Sequence, residues 1–243
     1  MVTGASRGIG RAIVDGLVDE GALVVAGARD VSTLAGTNVL AVAGDLSTAD
    51  GPRRLIEAAV ERHGGIDFLV NNVGGGRLQL DGIAAASDED WQRSFDINLL
   101  SHVRAIRAAL PHLIERKGVI VNVSSLNGRA PAVDAPEYSA MKAALNSLSR
   151  ALAVELAPKG VRVNVVSPGP VLTDMQTGAG GVAEQLEAAG HGAAADYVAS
   201  VEREVPLGRF AQPHEVASVV LALLSYRFGY VTGADVPIDG ATA

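Results

Sequence analysis

Short apolar runs rich in β-branched residues alternate along the chain with longer amphipathic segments. The apolar runs are LVVAG (23–27), NVLAVA (38–43), IDFLVNN (66–72), GVIVNVSS (118–125), GVRVNVVS (160–167) and ADVPI (234–238). Runs of this length predict buried strands of a parallel sheet. The amphipathic segments predict helices near residues 9–20, 52–63, 88–115, 137–157 and 213–225. With a first strand before residue 3, the alternation predicts an α/β fold, a single doubly wound domain over residues 1–243 with a mostly parallel seven-stranded sheet and helices on both faces.

Two parts of the chain depart from this pattern. Only Met1 and Val2 precede the glycine-rich segment that starts at Thr3, so the central strand would be short, and we expect residues upstream of Met1 to be missing. Residues 173–208, the lid segment below, are rich in glycine and alanine and predict irregular structure. We interpret them as a mobile lid over a substrate site, with an ordinary surface excursion as the alternative.

Composition narrows the classes of function that this chain can perform. A net charge of −7 with no block of basic residues argues against a nucleic-acid or anionic-membrane partner. The chain has no cysteine and no apolar run long enough to span a bilayer, so we expect a cytoplasmic protein. Its five histidines lie at no metal-ligand spacing, and we predict no catalytic metal.

The segment TGASRGIG, residues 3–10, lies where the first strand passes into the first helix, and we call it the glycine turn. Glycines at positions 4, 8 and 10 allow a sharp bend and a close approach of a ligand to the main chain. The helix N-terminus adds free N–H donors and the positive end of a dipole. The glycine turn therefore predicts a pyrophosphate site, although such turns also occur for structural reasons alone.

The end of the second predicted strand bears on which nucleotide binds. An acidic side chain there accepts a hydrogen bond from a ribose 2′-hydroxyl but repels a 2′-phosphate. Here the strand ends in Ala28 and Arg29, and Arg7 of the glycine turn adds a second guanidinium. NADP(H) is therefore favoured, while Asp30 leaves NAD(H) possible.

The segment EYSAMK places Tyr138 and Lys142 four positions apart near the start of a predicted helix. Residues at this spacing share one helix face, so both side chains can act on one ligand. An ammonium about 4 Å from a phenol, at an effective dielectric near 20, supplies about 4 kcal/mol. That energy is enough to lower a phenol pKa from about 10 toward 7, so the pair predicts an acidified Tyr138.

Nearly the whole chain resembles the short-chain dehydrogenase/reductase family. The motifs that carry the resemblance are TGASRGIG, Asp45 in GDLS, NNVG at 71–74, Asn98 in DINLL, the Ser125 end of VNVSS, YSAMK and SPGPVLTDM at 167–175. The resemblance implies a Rossmann-type sheet, a nicotinamide cofactor and a small-molecule carbonyl or alcohol substrate. It also implies four catalytic residues, Asn98, Ser125, Tyr138 and Lys142.

Each of these four residues has an implied role. Tyr138 would be the general acid/base, and Ser125 would donate a hydrogen bond to the carbonyl oxygen. Lys142 would acidify the phenol, and Asn98 would hold a water that links Lys142 to solvent. The cofactor-binding residues implied with them are Gly4, Ser6, Arg7, Gly8, Ile9, Gly10, Arg29, Asp45, Leu46, Asn72, Gly74, Tyr138, Lys142, Pro168, Gly169 and Thr173.

The resemblance has two departures and one implication for assembly. Val73 stands where the family usually has alanine, and Ala241 stands where it usually has glycine. Family members are commonly dimers or tetramers, and small residues along the predicted helix 137–157 would let a second subunit approach. We therefore expect a homo-oligomer, with a homotetramer favoured.

The sequence therefore predicts an NADP(H)-dependent reductase of ketones or aldehydes that also runs in reverse on secondary alcohols. A 3-ketoacyl thioester reductase is one alternative, although the arginines that could dock an acidic carrier are scattered. A non-catalytic nicotinamide-nucleotide sensor is another, although the complete serine, tyrosine and lysine set argues against it. The substrate stays open, with the long alanine-rich lid segment favouring a bulky apolar one.

Overall fold

Seven parallel strands form the centre of the computed structural model, which describes residues 1–242. Their order across the sheet is β3-β2-β1-β4-β5-β6-β7. The strands are β1 Val2–Thr3, β2 Val24–Ala28, β3 Val39–Ala43, β4 Phe68–Asn71, β5 Val119–Val123, β6 Arg162–Pro168 and β7 Asp235–Ile238. The strand order reverses direction between β1 and β4, so the carboxyl ends of these strands border the crevice where ligands bind in doubly wound sheets.

Strand β1 is short but central, as the sequence predicts. Val2 pairs with Ala26 of β2 on one side and with Val70 of β4 on the other. Thr3 pairs with Gly27, and the glycine turn follows directly. The glycine turn therefore leaves the sheet between β1 and β4, where the order of the strands reverses.

Nine α-helices connect and cover the strands within residues 1–242. They are α1 Gly8–Asp19, α2 Asp50–His63, α3 Asp88–Phe95, α4 Ser101–Arg116, α5 Pro136–Leu156, α6 Asp174–Thr177, α7 Val182–Ala188, α8 Ala194–Glu204 and α9 Pro213–Leu224. Helices α1 and α9 bury Ile13 and Val220 against one face of the sheet. Helices α2, α4 and α5 bury Leu55, Leu113 and Leu156 against the other, which confirms the doubly wound fold.

Residues 88–116 are helical throughout, which agrees with the helix predicted near 88–115, but this helix is not regular. A π-helical turn, Asp96–Leu100, separates α3 from α4. Asn98 lies in this turn and is fully buried. The amphipathic pattern of the sequence gives no sign of the turn, because it is that of a regular helix. Such turns interrupt the α-helical hydrogen-bond ladder and occur often at functional sites.

The prediction that the lid segment is irregular is wrong, because α6, α7 and α8 occupy most of it. Alanine has the highest intrinsic helix propensity, so an alanine-rich segment forms helices readily even with few bulky side chains. The glycines stand between these helices: Gly178 ends α6 and Gly181 precedes α7. The lid segment is thus a set of short helices joined by glycine turns.

Candidate active site

The glycine turn is built so that its backbone passes close to its own helix. Gly4 and Gly8 have φ values of +64° and +53°, in the left-handed region that favours glycine. A Cβ added at Gly10 would lie 2.1 Å from the carbonyl oxygen of Gly4. Helix α1 begins at Gly8 with no side-chain cap and no acidic residue in its first turn. Its first N–H groups therefore face a concave main-chain surface suited to an anion.

Asn72 holds the glycine turn in this shape. Its side-chain nitrogen donates to the carbonyl oxygens of Thr3, at 3.2 Å, and Gly4, at 3.0 Å. The Thr3 hydroxyl in turn accepts from the backbone N–H of Asn72 at 2.9 Å. The resemblance places Asn72 beside the adenosine. In the structure, its side-chain nitrogen instead uses both N–H groups to hydrogen-bond the glycine turn.

Arg29 and Asp45 lie together at the carboxyl ends of β2 and β3. Arg29 is exposed directly after β2. Hydrogen bonds from Ser47 lower the pKa of Asp45, and the charge of Arg29 lowers it further. Asp30 accepts from the backbone N–H of Ser32 at 2.9 Å, and this bond holds its carboxylate in its own turn. Of the adjacent residues Arg29 and Asp30, the exposed guanidinium of Arg29 is thus the more available group for recognising a nucleotide.

Ser125, Tyr138 and Lys142 meet at the carboxyl end of β5. Tyr138 is the third residue of α5, and Ser125 follows β5 at the start of a short 3₁₀ turn. The Ser125 hydroxyl accepts from the Asn127 N–H at 3.2 Å and lies close enough to the phenol to lower the pKa of Tyr138. The Lys142 Nζ lies 5.7 Å from the centre of the Tyr138 ring and donates to the Val123 carbonyl at 3.0 Å. The three predicted side chains therefore form one cluster.

The protein's own groups do not acidify Tyr138, contrary to the prediction from charge alone. Burial raises the pKa of Tyr138, and the hydrogen bond with Ser125 opposes that rise. Burial also lowers the pKa of Lys142 to about 7. The prediction accounted for the attraction between the two charges but not for the cost of removing each from water, which dominates here. The protein's own groups therefore keep the phenol of Tyr138 neutral.

Asn98 fixes the segment that runs beside Lys142. Its Oδ1 accepts from the Gly75 N–H at 3.0 Å, and its Nδ2 donates to the Gly75 carbonyl at 2.8 Å. A Cβ at Gly74 would lie 3.1 Å from the Asn98 Oδ1 and 3.4 Å from the Lys142 Nζ. Glycine at position 74 therefore lets the main chain pass between these two functional groups.

Residues after β6 close the other side of the crevice. Pro168 ends β6, and the Gly169 N–H donates to Ile238 at 3.0 Å. Thr173 faces the glycine turn, because a Cβ at Gly8 would lie 3.2 Å from its methyl group. Arg7 of the glycine turn forms an exposed 3.6 Å ion pair with Asp174 of α6. The guanidinium of Arg7, predicted to face a phosphate, thus links the glycine turn to the lid segment.

The remaining predicted residues occupy positions around these groups. The Ser6 carbonyl oxygen accepts from the Thr33 hydroxyl at 3.0 Å, and Ile9, the second residue of α1, packs on the core. Leu46 is buried just after Asp45.

Sequence reasoning missed Gly76, at which a Cβ would lie 3.3 Å from the Tyr138 ring. Its signal was the run of three glycines at 74–76.

The crevice fits a dinucleotide in its main-chain geometry and in its charges. It offers a glycine turn at a helix N-terminus, an exposed Arg29 and a buried Lys142 beside Tyr138. Within residues 1–242, no group of three or more His, Asp or Glu side chains could hold a metal ion. No helix in the same range is long and apolar enough to cross a membrane.

Comparisons with known proteins agree with this geometry. Residues 4–241 match the family model described as enoyl-(acyl carrier protein) reductase. An uncharacterized oxidoreductase of Methylorubrum extorquens is 41% identical over 99% of this chain and 95% of its own. The 3beta-hydroxysteroid dehydrogenase 1 of Eggerthella lenta is 34% identical over 99% of this chain and 91% of its own.

A solved structure shows the same architecture. The L-sorbose reductase of Gluconobacter frateurii, complexed with NADPH and L-sorbose, superposes with a TM-score of 0.91 at 35% identity. The match covers 99% of this chain and 94% of that one. This protein therefore belongs to the short-chain dehydrogenase/reductase family of oxidoreductases, which act on alcohol and carbonyl groups.

Proposed function

We propose that this oxidoreductase uses NADPH to reduce a ketone or aldehyde, with Tyr138 as the proton donor, and that it oxidises the alcohol in reverse. The observation that carries the proposal is the cluster of Ser125, Tyr138 and buried Lys142 at the carboxyl end of β5. A bound nicotinamide supplies or accepts the hydride in this chemistry.

In the reducing direction, the neutral phenol of Tyr138 gives its proton to the carbonyl oxygen as negative charge develops there. Ser125 donates a hydrogen bond to the same oxygen, which lowers the energy of that charge. Lys142, held by the Val123 carbonyl, then stabilises the phenolate that the proton transfer leaves. The raised pKa of Tyr138 suits this direction, because a protonated phenol is the required donor.

The role of Asn98 in the proposal begins with its two bonds to Gly75. By fixing residues 74 and 75, it keeps the main chain clear of the Lys142 Nζ. A water held there would connect Lys142 to solvent, as the family resemblance implies. A proton from solvent would then return to Tyr138 through this water and Lys142.

NADPH is proposed over NADH because of Arg29. Its exposed guanidinium follows β2, the place where doubly wound folds distinguish the two nucleotides. A guanidinium forms charge-assisted, bidentate bonds with a phosphate, and a phosphate at this position is present in NADPH alone. The NADPH-bound state of the sorbose reductase supports the same choice.

We also propose that the chain assembles into a homotetramer or a dimer through the outer face of α5. That face exposes a line of small residues, Ala140, Ala143, Ser147 and Ala151, and then Val154 at 71% exposure. Beside it lies a groove of about 670 Å³ bordered by Tyr230. A bulky charge on this line, as in Ala151→Glu, should lower the mass measured by light scattering.

The proposed activity is tested by measuring nicotinamide absorbance with a panel of ketones, aldehydes and secondary alcohols and both nucleotides. We expect turnover with NADPH and at least one carbonyl, and its loss in Tyr138→Phe without loss of nucleotide binding. Tyr226→Phe, which alters a tyrosine that is 73% exposed, is the matched control. Full activity in Tyr138→Phe would rule out the proposed donor, and nucleotide binding without any turnover would favour the sensor.

The panel should also include a 3-ketoacyl thioester, because a 3-oxoacyl-[acyl-carrier-protein] reductase of Vibrio cholerae is 33% identical over 99% of this chain. Steroid and sugar ketones belong in it as well, given the names of the relatives. A preference for bulky apolar carbonyls would support the interpretation of the lid segment as a substrate cover.

A further inference from the structure

His102 is a fully buried side chain beside the proposed active site that neither the family resemblance nor the mechanism uses. It lies on α4, four residues after Asn98, and therefore on the same side of the chain's helical path. Its exposure is 0%. A buried imidazole costs free energy unless its polar atoms are bonded, so its partners indicate what it does.

The ring makes one hydrogen bond, and that bond reaches the active-site segment. The Nε2 atom lies 2.8 Å from the carbonyl oxygen of Val73. A carbonyl oxygen can only accept, so Nε2 carries the hydrogen and Nδ1 is the bare acceptor of a neutral ring. Nδ1 is buried and has no hydrogen-bond partner within residues 1–242. The ring is therefore held through Nε2.

Three side chains enclose the same short piece of main chain. His102 holds the carbonyl of residue 73, and Asn98 holds both polar groups of residue 75. Between them, Gly74 passes so close to Lys142 that an added Cβ would lie 3.4 Å from Nζ. A shift of a few tenths of an ångström in this segment would change the space around the lysine.

The electrostatic surroundings keep the imidazole neutral. Burial, and then the charge of Lys142, lower the pKa of His102 to about 3, while the bond to Val73 opposes that change. A neutral ring can donate through Nε2 without adding a second positive charge beside Lys142. Histidine thus provides a donor of the right reach at a position where a charged donor would be costly.

We propose that His102 is a positioning residue: its Nε2 hydrogen bond to Val73 holds residues 73–75 in place so that Lys142 and Tyr138 keep their working geometry. The inference rests on the proposed function. It differs from the role of Asn98 because it acts through the carbonyl of residue 73, two residues after β4. A residue at that position of α4 needs only a correctly placed N–H.

Two substitutions of His102 distinguish the roles of its two ring nitrogens. In His102→Gln the amide nitrogen can occupy the place of Nε2, whereas in His102→Asn the shorter side chain reaches only the place of Nδ1. His112→Gln, on the same helix and half-buried, is the matched control. Each variant is compared by amide hydrogen exchange of the peptide that covers residues 71–78, with no nucleotide added, and by kcat and KM for carbonyl reduction.

We expect His102→Asn to exchange about tenfold faster over residues 73–76 and to lose about tenfold in kcat, as one lost hydrogen bond implies. KM should change less than kcat. His102→Gln and His112→Gln should stay within about threefold of the wild type in both measurements. Should His102→Asn fail to fold, wild-type exchange and kcat in His102→Gln would still support the proposal.

Equal impairment of the Gln and Asn variants would overturn the proposal, because an N–H at the Nε2 position would then not be sufficient. Wild-type behaviour of both would overturn it as well. Failure of the proposed function is distinguishable, since an inactive wild type would leave the exchange comparison unaffected.

Discussion

The Nζ atom of Lys142 donates a hydrogen bond to the carbonyl of Val123 at 3.0 Å, deep in the protein. One carbonyl only partly replaces the water that the ammonium gives up, and burial lowers the pKa of Lys142 from its ordinary 10.5 to about 7. Between these two values the unfolded chain carries a proton on Lys142 that the folded protein does not. Folding is therefore favoured progressively as the pH rises through that window, and the penalty of the charge is fully present below pH 7.

The first prediction concerns this pH dependence. Relative to Lys142→Met, the free energy of unfolding of the wild type should increase by about 2 kcal/mol between pH 7.5 and pH 9. Urea denaturation without added nucleotide measures the difference. Lys159→Met, which alters an exposed lysine, should follow the wild type throughout. Parallel curves for the wild type and Lys142→Met would show that the buried amine does not titrate in this range.

The second prediction distinguishes two adjacent serines. Ser125→Ala removes the hydroxyl beside the Tyr138 phenol and should lower kcat about 100-fold, the effect of one lost donor to a developing oxyanion. Ser124→Ala removes a hydroxyl that donates to the Lys142 carbonyl at 3.4 Å and should cost much less. Steady-state rates with any accepted carbonyl decide between them. A larger loss in Ser124→Ala would place the substrate oxygen elsewhere.

The third prediction concerns nucleotide selectivity. Arg29→Ala should raise the Kd for NADPH tenfold or more, roughly the value of one charge-assisted hydrogen-bonded contact, and change the Kd for NADH by less than about threefold. Fluorescence titration measures both constants. Arg54→Ala removes an exposed arginine of α2 and serves as the control. An equal rise in the Kd for both nucleotides would mean that Arg29 does not bind the 2′-phosphate of NADPH.

The fourth prediction concerns the close approach inside the glycine turn. Gly10→Ala places a methyl group 2.1 Å from the Gly4 carbonyl oxygen, a separation that requires the turn to move. We expect a loss of about 1–3 kcal/mol in the free energy of unfolding and a weaker nucleotide affinity. Gly44→Ala meets no atom within 4 Å and should leave both nearly unchanged. Wild-type nucleotide binding by Gly10→Ala would show that the turn tolerates displacement.

Local patterns in the sequence were sufficient for the architecture and for the pairing of Tyr138 with Lys142, whereas Ser125 and Asn98 were identified through the family resemblance. The alternation of short apolar runs with amphipathic segments predicted the doubly wound parallel sheet, which the structure confirms. The four-residue spacing of Tyr138 and Lys142 placed both on one face of α5, where they lie together. These features depend on residues close in sequence, whose relative geometry the helix and strand periods already define.

Only the tertiary structure decided how those groups are tuned and supported. The pKa directions of Tyr138 and Lys142 follow from burial by distant elements, which outweighs the attraction between the pair. Asn72 supports the glycine turn across a gap of 68 residues, and His102 reaches Val73 across 29. No local period encodes such contacts, because desolvation and long-range hydrogen bonds arise only when separate segments pack together.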